Sequence, residues 1–219
     1  MQIDARMRDI LKNFSTINQS ILFKPGSVLR TTSPLKTVLA HAKIQSSIDS
    51  QFAIHDLNRF LSTLSLFEQP ALSVEQTKLV IADGKQKVNY TFAHEDSIVV
   101  PTSDKKPTMP STEIVFDLSN ETLQQVRRAM GVLSSPELAV VGDGEIITLQ
   151  AVDSKKPGSD TFAIEVGETT HKFKMFFRAD NIKLLPNDYH VEISSSRIAH
   201  FESSDVEYWV AVEANSTFG

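Results

Sequence analysis

The stretch from Val100 to Thr112 reads VPTSDKKPTMPST. With three prolines, several small polar residues and no apolar periodicity, it reads as a connector between two folded halves. The same succession of elements occurs on either side of it. Before it, Ile3, Met7, Ile10, Leu11, Phe14 and Ile17 fall on one face of a helix, helix A. Short β-branched runs follow at 21–24, 28–32, 38–44 and 52–54, punctuated by Pro25-Gly26 and Ser33-Pro34. Asp56 then stands at the N-cap of helix B, whose apolar residues are Leu57, Phe60, Leu61 and Leu64. Strand-like runs at 72–75, 78–82 and 87–93 complete the half.

After the connector, a strand at 113–118 leads to Ser119, the expected cap of helix C, with Leu123, Val126, Met130 and Leu133 on one face. Strands are expected at 138–141, 146–152, 161–166 and 172–177, with Gly142-Asp143-Gly144 as a hairpin turn. A short helix D over 179–185 ends before Pro186, and strands at 189–194, 198–202 and 208–214 close the chain. Helix, strands, helix, strands thus occurs twice. This predicts an α+β protein of two tandem similar domains, 1–100 and 112–219, joined by a linker at 101–111.

Composition narrows the chemistry. The 219 residues include 41% apolar side chains, enough for two cores, and 22 Lys plus Arg against 27 Asp plus Glu give a net charge of −5. The absence of cysteine excludes disulfides, thiolate catalysis and Cys-ligated zinc. No apolar run is long enough for a membrane-spanning helix, and Asp4 and Asp9 interrupt what would be a leader's apolar core, so a cytoplasmic protein is expected. His41, His55, His94, His171, His190 and His200 lack metal-ligand spacing, and no phosphate-binding glycine loop or nucleophile elbow occurs. Neither a metal, a cofactor nor an enzymatic activity is expected. Asp56, the obvious acid/base suspect, is explained as a helix cap.

The cations have a pattern that the total hides. Opposite the apolar face of helix A lie Arg8 and Lys12; helix C carries Arg128 outward and Arg127 to the side; helix B exposes Arg59 and helix D Lys183. Most carboxylates fall in strands and loops, among them Glu75, Glu165, Glu192 and Glu213. A solvated charged face accounts for any one of these helices. Four in agreement point to a surface that attracts a phosphate backbone without reading its sequence, although composition alone does not separate the two readings.

Three stretches resemble a known family. Ile10-Leu11-Lys12-Asn13-Phe14, continuing through Thr16-Ile17-Asn18, resembles the first helix of the sliding clamps of T4-type bacteriophages. Ala53-Ile54-His55-Asp56-Leu57-Asn58-Arg59-Phe60-Leu61 resembles a later helix of that family, and Val210-Ala211-Val212-Glu213-Ala214-Asn215-Ser216-Thr217 its last strand. The resemblance implies a DNA clamp fold assembled as a homotrimeric ring, with helices lining a channel for duplex DNA and antiparallel sheets outside. It implies a non-enzymatic processivity factor in the cytoplasm of an infected bacterial host. The implied partners are duplex DNA, the replicative DNA polymerase, an ATP-dependent clamp loader and, for late transcription, a sigma-like factor and a coactivator. A clamp-fold accessory protein that contacts polymerase without encircling DNA is the alternative.

Under this resemblance, Arg8, Lys12, Arg59, Arg127, Arg128 and Lys183 become candidates for the DNA channel, Lys12 lying within a matching stretch. The family pairs the last strand of one domain with an early strand of the neighbour's second domain. That makes Val88, Tyr90, Phe92, Thr161, Ala163 and Glu165 candidates for the subunit interface. Its partners insert peptides near the linker, where Leu64, Leu66, Ile98 and Val100 fall, with Val210 and Val212 added from the last strand. A ring holds DNA by topology, so weak, exchangeable phosphate contacts suffice and permit sliding.

Overall fold

In the computed structural model of the chain, helix A is α1 (Ala5–Ile17), started by Asp4, whose Oδ1 accepts from Met7 N at 2.7 Å. The structure describes residues 2–156 and 158–219; Met1, the first residue of the expected domain 1–100, lies outside them. The chain divides into two units, Met1–Lys106 and Pro107–Gly219, at a point within the 101–111 segment.

In the first unit, α1 buries Met7, Ile10, Leu11, Phe14 and Ile17 and packs against β2 (Gly26–Thr32) and β3 (Val38–Ile48), which pair antiparallel. Between α1 and β2 runs β1 (Ile21–Phe23), paired with β4 (Phe52–Ile54). The end of α1 is fixed by the buried Asn18, whose Nδ2 donates to Thr32 O at 3.0 Å and Val99 O at 2.9 Å while its Oδ1 accepts from Ser20 N. One side chain thereby satisfies groups from three segments that regular ladders leave unpaired. Helix B is α2 (Leu57–Leu64): Asp56 Oδ1 accepts from Arg59 N at 2.8 Å, and Leu57, Phe60 and Leu64 are buried. A three-stranded sheet of β5 (Ala71–Val74), β6 (Lys78–Asp83) and β7 (Gln86–Thr91) completes the unit, with β7 at one edge.

A chain of aromatic contacts holds β7 to the rest. Phe92 stacks on Phe52 at 5.2 Å, Phe52 on Phe23 at 4.5 Å, and Phe23 meets Phe60 edge-on at 6.2 Å. Phe60 in turn meets Tyr90 edge-on at 5.5 Å. Such pairs stabilise by about 0.5–1.5 kcal/mol each beyond their buried area.

The second unit begins with β8 (Ile114–Leu118) and α3 (Asn120–Leu133), helix C, capped by Ser119 Oγ accepting from Thr122 N at 3.1 Å. Behind α3 lies a sheet ordered β11 (Phe162–Glu168), β10 (Ile146–Val152), β9 (Glu137–Asp143), β12 (Lys172–Arg178) and β16 (Thr217–Phe218), with β11 at one edge. In the turn between β9 and β10, Asp143 Oδ1 accepts from Glu145 N and Ile146 N, both at 2.9 Å, and Gly144 has φ 101°. A second layer pairs β8 with β13 (Tyr189–Ser194), β13 with β14 (Ile198–Glu202) and β14 with β15 (Val206–Ala211). There Trp209 stacks on His200 at 4.7 Å, and the imidazole nitrogens of His200 lie 3.5 Å from Glu192 and 3.3 Å from Glu207.

The sequence reading misplaces one helix. The expected helix D over 179–185 is a single 3-10 turn, Ala179–Asn181, followed by an extended strap. Arg178 stands at the N-cap and makes no capping bond, and Ile182, Leu184 and Leu185 are buried at spacings that no single helical face provides. Side chains satisfy the strap's backbone instead: Arg127 Nη2 donates to Ile182 O at 2.7 Å, Leu185 N donates to Tyr208 Oη at 3.2 Å, and Tyr189 Oη donates to Leu185 O at 2.7 Å. The two-residue β16 went unread because it is too short to carry alternation.

Candidate nucleic-acid interface

On the solvent side of α1, Lys12 is exposed and Arg8 half-buried; on α2, which packs against α1, Arg59 is exposed. In the second unit, α3 exposes Arg128. Capping fixes where each helix begins, and with it which residues face outward. These four cations therefore stand on helical surfaces, as the phase argument requires.

Arg127 and Lys183 are placed differently. Arg127 is half-buried, and its guanidinium is committed to the strap carbonyl of Ile182. Burial lowers its pKa, a shift opposed by the neighbouring Tyr189 and Tyr208. Lys183 follows the 3-10 turn, so the helical phase that nominated it has no helix beneath it.

Each unit also has a groove beside an unpaired strand edge. Along β7, a groove of about 440 Å³ is lined by His55, Asp56, Arg59, Val88, Tyr90 and Phe92 among others. Tyr90 Oη donates to Asp56 O at 3.2 Å; burial raises its pKa, Arg59 opposes the shift and Asp56 adds to it. Along β11, a groove of about 480 Å³ is lined by Gln125, Arg128, Ala129, Val132, Leu133, Thr161 and Phe162. Val132 is 83% exposed there, one helical turn beyond Arg128. Arg59 and Arg128 thus border strand edges as well as helix surfaces.

The interface candidates fall on two faces. Tyr90 points toward α2 and Val88 shares its half-buried side of β7, while Phe92 stacks on Phe52. On the β11 side, Thr161, Ala163 and Glu165 are exposed, whereas Phe162, Ile164 and Val166 are half-buried. Phe162, beside α3, and Ile164 are thus among the half-buried residues of that strand; the sequence reading names neither of them, nor Val132. An apolar residue four positions after Arg128 on the polar side of helix C was the available signal for Val132.

Of the pocket candidates, Leu64, Val210 and Val212 are buried, Ile98 and Val100 are half-buried, and Leu66 is 66% exposed. Val100 lines a cleft of about 20 Å³ with Leu22, Lys24, Val28, Arg30, Pro101 and Asp104. Lys24 Nζ closes it by donating to both oxygens of Asp104 at 2.9 Å, which holds the Asp104 carboxyl below its ordinary pKa. Among the described residues, no group of three or more His, Asp or Glu could hold a metal ion, and no helix is long and apolar enough to cross a membrane.

Residues 6–100 match the family described as DNA polymerase processivity factor, and residues 115–214 that described as gp45 sliding clamp, C terminal. The sliding clamp of Vibrio phage KVP40 is 32% identical over 98% of this chain and 100% of its own length. That of Enterobacteria phage T4 is 29% identical over 99% of each. Among solved structures, proliferating cellular nuclear antigen from Entamoeba histolytica superposes with a TM-score of 0.70 over 94% of each chain at 11% identity. A structure described as the C-terminal region of FEN-1 bound to A. fulgidus PCNA gives 0.69 over 96% of each chain at 14% identity. At these identities the structural likeness concerns the fold, which is that of a PCNA-like clamp.

Proposed function

The chain belongs to the sliding-clamp family of DNA polymerase processivity factors, and on that footing we propose that three copies close head to tail into a ring around duplex DNA. The ring tethers the replicative polymerase to its template. The observation that carries this reading is the pair of edge strands, β7 in one unit and β11 in the other, each beside a groove with apolar walls. Two different edges on one chain suit a heterologous contact, and such contacts generate rings when their rotation closes.

Arg8, Lys12, Arg59 and Arg128 supply the channel's cations. They are few, and few are needed: encirclement sets residence time, and loose phosphate contacts leave the ring free to slide. The protein catalyses no reaction in this scheme. An ATP-dependent loader opens and closes the ring, and hydrolysis belongs to the loader. Partner peptides dock near Ile98 and Val100, where opening the Lys24–Asp104 pair would uncover apolar wall. The sigma-like factor and coactivator of late transcription use the same ring, in the cytoplasm of the infected host.

Retention on DNA tests the proposal. After loading with loader and ATP, the protein stays on nicked circular DNA through gel filtration and is lost when the circle is cut. Equal retention on circular and linear forms would sink topological linkage and favour an accessory protein that does not encircle DNA. Reversing Arg8, Lys12 and Arg128 together to Glu lowers the loader's DNA-stimulated ATPase; an unchanged rate removes these residues from the channel.

A further inference from the structure

The ring reading leaves open how one copy aligns with the next, and the inference drawn here rests on that reading. We propose that ring closure uses one strand register, with Lys87 of β7 opposite Glu165 of β11 in a second copy. Val88 then faces Ile164, Asn89 faces Ala163, and Tyr90 faces Phe162.

Three observations select this register. First, facing is fixed on both strands. Tyr90 bonds to the Asp56 carbonyl beside α2, and Phe162 lines the groove beside α3, so both lie on the helix side. Lys87, Asn89, Ala163 and Glu165 are exposed on the opposite side. A slip by one residue would turn every apolar side chain to the wrong face, so only registers two residues apart remain.

Second, both strands have natural stops. Across β10 and β11, Ile147 pairs with Gly167 and Thr148 with Glu165, which leaves Val166 as the extra residue of a bulge. Bulges end regular pairing, so the usable run of β11 closes at Glu165. On the other strand, Asp83 pairs with Gln86 across a turn at Gly84 and Lys85, with Gly84 at φ 56°. The register two residues along one way sets Lys87 against Gly167, beyond the bulge. Two the other way puts Gln86 against Ile164 on the apolar side and brings Lys85, a turn residue, opposite Glu165.

Third, charge agrees. The β7 end carries Lys85 and Lys87, and β11 carries Glu165 and Glu168. The selected register brings an exposed cation and an exposed anion directly opposite, an arrangement in which like charges would repel. All the described strand pairs within the chain are antiparallel, and the proposed pairing is antiparallel as well. The pair therefore fixes alignment and makes closure sensitive to salt.

Charge exchange tests it by analytical ultracentrifugation of the full chain. Lys87→Glu and Glu165→Lys each raise the concentration at which trimers form, by about tenfold, because each places like charges opposite at every interface. The double variant restores assembly to within about threefold of the parent, as expected when a single pair couples the two sites. Single variants that assemble like the parent, or a double variant no better than the singles, would overturn the register while leaving the ring intact. A parent that stays monomeric at all concentrations would overturn the ring reading as well. The chain has no cysteine, so a disulfide provides a second ruler. Asn89→Cys with Ala163→Cys cross-links separate copies on oxidation; Asn89→Cys with Glu165→Cys, which a two-residue slip would join, does not. The reverse outcome assigns the slipped register.

Discussion

The two units follow a similar plan and part where a second helix is due. After its fourth strand the first unit turns into α2; after the corresponding strand the second makes a single 3-10 turn and then a strap. The residue before the turn is one part of the difference. Asp56 can accept a hydrogen bond from the backbone three residues on and does so, while Arg178, a donor, cannot. Pro186 also limits how far a helix could run in the second unit. Without a helix to pair its own backbone, the strap borrows side chains, and Arg127 is drawn inward as one of them.

The largest way to break this contrast is Arg127→Met, which keeps the apolar stem and removes the donor to Ile182 O. It should destabilise the second unit by about 2 kcal/mol, since a buried carbonyl loses a charged partner, and urea unfolding measures it. Loss of DNA loading at unchanged stability would instead return Arg127 to the channel. Asp56→Ala, the equivalent insult to the first unit, should cost about 1 kcal/mol through the lost cap. No cost from Arg127→Met would mean that the strap is held by packing alone.

Arg178→Asp sharpens the comparison from the other side. A cap alone should not build helix D, because the strap's carbonyls are already taken and its apolar residues are mis-spaced. The expected change is under about 0.5 kcal/mol, with no gain in far-ultraviolet helical signal; a gain would show that the cap was the missing element. The smallest effect concerns acid. Hydrogen bonds from Ser195 N to Glu113 and from Ile146 N to Asp143 hold both carboxyls below their ordinary values in the second unit, as Lys24 does for Asp104 in the first. A carboxyl whose folded pKa is depressed contributes stability that is full above its unfolded value and fades as pH falls through the folded one. All three should titrate by NMR below the ordinary 3.8 for Asp and 4.5 for Glu, and the second unit, with two of the three, should lose more stability on acidification.

Much of this architecture is legible in the sequence. Asp4, Asp56 and Ser119 each cap the helix that the apolar spacing announces, and the strands at 52–54, 146–152, 189–194 and 198–202 begin and end where alternation does. Helix D was misplaced because Ala179 to Leu185 is apolar enough for a helix while its stabilising partners, Arg127, Tyr189 and Tyr208, come from elsewhere in the chain. The candidate surface is legible only by halves. Helical phase finds Lys12, Arg59 and Arg128, since exposure on a helix is a local property. It cannot find the Arg127 contact, which is long-range, nor say which side of β11 faces α3, because alternation gives two faces without naming them.

Trp209 is the chain's only tryptophan, and it lies 4% exposed against His200 in the second unit. Its emission is therefore a built-in optical label for β15 and the packing around it. Red-shifting fluorescence follows the exposure of that strand, while the far-ultraviolet signal follows α1, α2 and α3. Comparing the two curves in a single unmodified sample tells whether a substitution acts first on the helices or on the sheet that holds Trp209.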